Sequence, residues 1–133
     1  MVTSSRTKRK YPPTRPLPRR YRAYLKMALK YPETEASTSY GTPSVKIAGK
    51  ILSRLRTEAE GALALHCDFV DRQILLQADP EAFFITDHYR NYPMILVRLE
   101  KIRAAALSEL VGRAWRMRAT PKMIAQLKLS KRR

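Results

Sequence analysis

Two periods of apolar residues divide this chain. From residue 18 to residue 30 the repeat is helical: Leu17, Tyr21, Tyr24, Leu25, Ala28 and Leu29 recur every three or four positions, which puts them on one face of a helix. Pro18 suits the first turn, where a missing N–H costs nothing, and Pro32 ends the element. Arg19, Arg22, Lys26 and Lys30 fall largely off the stripe, so the outer side of this helix is basic. Past residue 35 the period shortens to two. Glu35 to Tyr40 is compatible with an edge strand, and Gly41-Thr42-Pro43 reads as a turn. Ser44 to Ile47 and Ile51 to Arg56 alternate as half-buried strands do. Ala48-Gly49-Lys50 joins them, with Gly49 free to take positive φ. Alternation sets Ile51, Ser53 and Leu55 on one face and Leu52, Arg54 and Arg56 on the other. Thr57 to Gly61 is an acidic turn, and Ala62 to His66 a third strand with Leu63 and Leu65 inward.

The second half repeats the mixture. Asp68 is an N-cap for a helix over 69–77 that packs by Val70, Ile74 and Leu75. Asp79-Pro80 breaks it. Phe83 to Thr86 and Met94 to Leu99 are short apolar strands around a polar, aromatic connection, Asp87 to Pro93. If Ile95, Val97 and Leu99 face the helices, Met94 and Leu96 make an apolar outer face that needs a cover, from the C-terminal helix or a second subunit. A helix over 104–117 carries the stripe Leu107, Leu110, Val111, Ala114 and Trp115. Thr120-Pro121 then opens a short helix to about Leu127. The short connections make the strands mostly antiparallel. The fold class is α+β: one two-layer domain, a mostly antiparallel sheet covered by helices.

Charge adds boundaries to this picture. The 133 residues carry a net charge of +16. Residues 1–30 hold ten Lys/Arg and no acid, and residues 101–133 hold ten against Glu109 alone, while residues 31–100 sum to −3. The expected organisation is a basic, Pro-rich, disordered arm over 1–17, the domain over 18–127 and a basic tail over 128–133. Such a balance fits nucleic acid, an acidic membrane surface or an acidic protein partner. No apolar run reaches transmembrane length, no secretory signal opens the chain, and the single Cys67 excludes an internal disulfide. No membrane association and a cytoplasmic setting are expected.

Catalytic chemistry finds no constellation. His66 and His88 are far apart in sequence, and Cys67, next to His66, would point to the opposite face of a strand. Neither a metal-ligand cluster nor a phosphate loop is present, so no enzyme activity, metal or cofactor is expected. Cations interleaved with aromatics are better represented. Lys46, Lys50 and Arg54 lie on or beside one hairpin. His88, Tyr89, Arg90 and Tyr92 lie on the other connection, with Arg98 on its outgoing strand. Two such hairpins could set cations on phosphates and rings on sugars or bases.

The order Tyr31-Pro32-Glu33, Ser39-Tyr40-Gly41-Thr42-Pro43-Ser44-Val45-Lys46, Gly49-Lys50, Ala78-Asp79-Pro80, His88-Tyr89, Tyr92-Pro93, Leu96-Val97-Arg98-Leu99, Ala114-Trp115 and Pro121-Lys122 resembles the MmcQ/YjbR family over about residues 22–127. The resemblance implies a small α+β domain described as DNA-binding through a double-wing motif, with Lys46, Lys50, His88, Tyr89 and Lys122 as contact residues. The expectation is a non-enzymatic nucleic-acid-binding protein, DNA with weak sequence preference, acting through wing hairpins and basic termini. The competing expectation is a protein-interaction or small-ligand module, with a pocket between the hairpins lined by Tyr40, His88, Tyr89 and Tyr92.

Overall fold

A computed structural model describes residues 17–56 and 61–131. The basic arm before residue 17, most of the acidic turn at 57–61 and Arg132-Arg133 lie outside the described residues. Helix α1 spans Arg19–Ala28. Strands β1 (Thr34–Ser39), β2 (Thr42–Ile47), β3 (Lys50–Leu55) and β4 (Ala62–His66) follow. Helix α2 (Phe69–Ala78), strand β5 (Phe83–Phe84), a 3-10 turn at Asp87–Tyr89 and strand β6 (Met94–Arg98) come next. Helices α3 (Ala104–Arg118) and α4 (Pro121–Lys131) close the chain. The strands form one six-stranded sheet in the order β1-β2-β3-β4-β6-β5, every pair antiparallel. The fold is α+β.

The helix-facing side of the sheet carries the main core. Val45, Leu55, Leu63, Leu65, Ile95 and Val97 pack there with Tyr21, Tyr24, Val111 and Trp115. Trp115 is fully buried, stacks at 5.2 Å from Tyr31 and donates its Nε1–H to the Pro32 carbonyl at 3.0 Å. One bond therefore ties α3 to the segment that leaves α1. A second buried polar link runs from α1 to the sheet: the Tyr24 hydroxyl donates to Ser53 Oγ. Burial holds the Tyr24 phenol well above its ordinary pKa, so it keeps the proton it donates.

Four local expectations are corrected. The first concerns β3, where simple alternation fails. Val45 pairs with Ser53 but Lys46 pairs with Ile51, so β3 holds one extra residue, a β-bulge. Leu52 joins the core beside Ser53, and Ile51 turns to the other face with Arg54. Second, the β1–β2 turn sits on Tyr40-Gly41, both at positive φ (52° and 83°), while Thr42 and Pro43 already belong to β2. Paired positive φ values suit the twist of a two-residue hairpin, and Ala48-Gly49 repeats them at the next turn (49° and 85°). Third, Val70 and Ile74 of α2 are exposed; Leu75 packs on the core as expected, joined by Leu76. The Asp68 cap holds as expected, accepting from the Asp71 N–H at 2.7 Å, but the helix is turned so that no residue of it is fully buried. Fourth, α4 continues through Lys131 and so takes in most of the expected tail, because Leu127 is still buried against the core.

The Tyr24–Ser53 pair gives a stability test. Tyr24→Phe and Ser53→Ala should each cost about 1–2 kcal/mol in urea unfolding, because each strands the other hydroxyl. The double variant should cost clearly less than the two losses together.

Candidate functional site

The second face of the sheet is built differently. Ala64, Met94 and Leu96 point away from the helices and are buried, with Phe84 and Ile85 beside them. The expected cover was a helix or a second subunit. The observed cover is the connection between β5 and β6, whose Tyr89 ring lies in this cluster at 6% exposure. The connection turns tightly because Tyr89, Arg90 and Tyr92 donate N–H bonds three residues back, to Thr86, Asp87 and Tyr89. An Asp87–Arg90 ion pair closes the same turn.

Arg72 of α2 fixes the connection in place. Its Nη1 donates to the carbonyls of Tyr92 (2.8 Å), Tyr89 (3.2 Å) and Met94 (3.2 Å), and its Nη2 to that of Arg90 (3.0 Å). Stacking over Phe69 at 4.7 Å steadies the guanidinium itself. One charged fork thus collects four backbone carbonyls from the connection and the start of β6.

A cleft of about 530 Å³ opens between this connection, the β1–β2 turn, β3, the end of β4 and the end of α3. Tyr40, His88 and Tyr92 stand at it as exposed rings, with Tyr40 85% exposed. Ile51, Pro93 and Met94 supply apolar lining, and Arg54, His66 and Arg118 the charge and polarity. Arg54 Nη1 donates to the Tyr89 hydroxyl at 3.1 Å, and its guanidinium lies 5.3 Å from the Tyr40 ring centre. Arg118 Nη2 donates to the Ile51 carbonyl at 3.4 Å. Neither guanidinium meets a carboxylate among the described residues. His66 is pushed down from 6.5 to about 4, first by burial and then by the Arg118 charge, so it is neutral near pH 7.

Of the residues expected to bind nucleic acid, the fold gathers Arg54, His88, Tyr89 and Tyr92 around this cleft. Tyr89 serves mainly as its buried wall. Lys50 is exposed at the neighbouring hairpin turn, and Lys46 is half-buried opposite Glu35. Arg90 is engaged by Asp87. Arg98 stacks over Phe84 at 4.1 Å and donates to the carbonyls of Pro80 and Glu81, away from the cleft lining. Lys122 is exposed on α4 and does not line the cleft. Sequence reasoning missed Ile51, His66 and Arg118 as lining residues. It also missed Arg72 as the residue that positions the wall. Among the described residues no group of three His, Cys, Asp or Glu could hold a metal ion. The Cys67 thiol is buried and pushed up to about 11, by burial first and then by Asp71 and Asp68. No helix among the described residues is long and apolar enough to cross a membrane.

These features define a small α+β domain with a cationic, aromatic-lined cleft on the sheet face that the helices leave open. The chain belongs to the YjbR family, whose model, described as YjbR, matches residues 29–117. That span holds every residue lining the cleft except Arg118, one position beyond it. An uncharacterized protein of Mycobacterium bovis is 42% identical over 52 residues, as are two from Mycobacterium tuberculosis strains. The match spans 39% of this chain and 40% of each relative. No solved structure matches the chain.

Two outcomes test the site's construction. Arg72→Ala should lower stability by about 2 kcal/mol and speed hydrogen exchange at the Tyr92 and Met94 amides. Arg72→Lys should not restore either, because one ammonium cannot span four carbonyls. The lowered His66 pKa means that the unfolded chain takes up this proton first as pH falls. Its contribution is complete above pH 6.5 and is lost as pH falls towards 4. His66→Gln should flatten that part of the stability profile, and an NMR titration of His66 should give a midpoint near 4.

Proposed function

We propose that this protein is a non-enzymatic DNA-binding module with weak sequence preference, working through the cleft face and the basic stretches at both ends. The observation that carries the reading is the company of its exposed rings. Tyr40, His88 and Tyr92 surround guanidiniums that meet no carboxylate among the described residues. Cations track phosphates and rings accept bases by stacking, and neither contact reads sequence strongly. Lys50 is exposed at the β2–β3 turn, and residues 1–30 and 101–133 add ten Lys/Arg each to the net positive charge. The lone Cys67 suits a cytoplasmic setting.

Tyr40 adds a second support. A bulky L-residue at positive φ is rare, and left-handed backbone costs about 1–2 kcal/mol. A Gly at this turn would remove the strain, yet the chain keeps an aromatic ring there, 85% exposed and contributing nothing to the core. The ring thus bears a backbone cost that no core packing offsets, which supports a role for it in contact.

Fluorescence anisotropy with labelled single- and double-stranded DNA at two salt concentrations tests the proposal. Affinity should fall steeply with salt, by about 0.9 in logarithmic slope per neutralised phosphate. Tyr40→Gly should leave the fold at least as stable and weaken single-strand binding by about tenfold, the worth of roughly one stacked base. Absence of binding at low salt would sink the proposal.

A further inference from the structure

The interior of the cleft carries a signal that its rim does not. Five buried side-chain nitrogen or oxygen atoms among the described residues have no hydrogen-bond partner. Three of the residues that own them, Arg54 (Nε), His66 (Nδ1) and Arg118 (Nε), are lining residues of this one cleft. Buried polar groups are normally paired, and leaving them unpaired is costly. These three come from β3, β4 and the end of α3, so no local sequence constraint brings them together. Packing alone gives no reason for them to converge.

We propose that the cleft binds a nucleoside monophosphate, with Arg54, Arg118 and His66 on the phosphate and Tyr40, His88 and Tyr92 around the base. The donor set selects the anion. Two guanidiniums without carboxylate partners repel a cation and call for an oxyanion, which Arg meets with paired, directional N–H bonds. A carboxylate offers two oxygens. A terminal phosphate offers three, enough for both guanidiniums and for an imidazole that adds polarity without a third charge. Arg54 is already oriented by the Tyr89 hydroxyl and Arg118 by the Ile51 carbonyl, so little side-chain freedom remains to be lost on binding. Ile51 and Met94 give the remainder of the ligand an apolar surface. A cleft of about 530 Å³ lies within the range of small-molecule sites. The inference rests on the DNA reading only in taking the exposed rings as base-stacking groups. The phosphate end stands on the buried nitrogens alone.

Calorimetric titration of the full chain with deoxyadenosine monophosphate, deoxyadenosine and inorganic phosphate tests it, alongside anisotropy with a single-stranded oligonucleotide. The monophosphate should bind, and deoxyadenosine should bind about tenfold more weakly or worse, the worth of one charged hydrogen bond. Arg118→Gln should cost the monophosphate a similar factor. In the unaltered chain, the His66 imidazole signals should shift as the monophosphate saturates, a readout that needs no variant to fold. No binding up to about 1 mM, equal affinity for monophosphate and nucleoside, or unmoved His66 signals at saturation would each overturn the proposal. An oligonucleotide that binds while the monophosphate does not removes the pocket and leaves the DNA reading in place. The reverse result supports the pocket and removes the DNA reading.

Discussion

One guanidinium holds one wall of the candidate site in place. The connection between β5 and β6 is short and polar, and it belongs to no strand. Arg72 gathers three of its carbonyls, those of Tyr89, Arg90 and Tyr92, together with that of Met94 at the start of β6. Once they are held, Tyr89 lies down on Ala64 and Leu96, His88 stands edge-on to Tyr89 at 4.7 Å, and Tyr92 is carried to the mouth of the cleft. Neutral side chains could not do this, because none offers several donors in a fixed fork. The apolar back of the sheet is therefore covered by a device that also builds one wall of the candidate site.

The sheet separates two kinds of work. On the helix side, apolar packing around Trp115 supplies stability, with Tyr24–Ser53 and Trp115–Pro32 as its two polar fasteners. On the other side the buried cluster is small, and beyond it lie cations and exposed rings. Arg54 sits on a strand whose next neighbours, Ser53 and Leu55, belong to the main core. Its position is thus set by core packing on the far side of the same backbone, which makes it a rigid element of the site.

The parts of the fold legible in the sequence were those fixed by one element alone. The stripes of α1, Leu29 excepted because it lies past the helix end and is exposed, and of α3, the caps at Asp68 and Thr120, and the Gly49 turn each follow from local spacing or backbone chemistry. What stayed hidden depends on pairing between elements. The β3 bulge is a property of the register between β2 and β3, so alternation assigned Ile51 and Leu52 to the wrong faces. In α2, Val70 and Ile74 looked like core because they are apolar, but of the expected residues only Leu75 makes the contact, with Leu76 beside it. Arg118 and Arg72 drew no reading from the sequence. Only the topology brings one to the end of β4 and the other to the loop carbonyls. For Arg118 a weak local hint existed, its place in the last turn of a helix just before Thr120-Pro121.

The cleft takes its walls from five separate segments, and none of its three exposed rings anchors the core. The consequence is evolutionary. Exchanging the hairpin-tip residue at Tyr40, or the ring at Tyr92, changes what the site can hold while leaving Trp115 and its neighbours untouched. Selectivity can therefore drift in small steps between descendants of one ancestor without any of them passing through an unfolded intermediate. A scaffold of this kind favours divergence in ligand choice over divergence in shape.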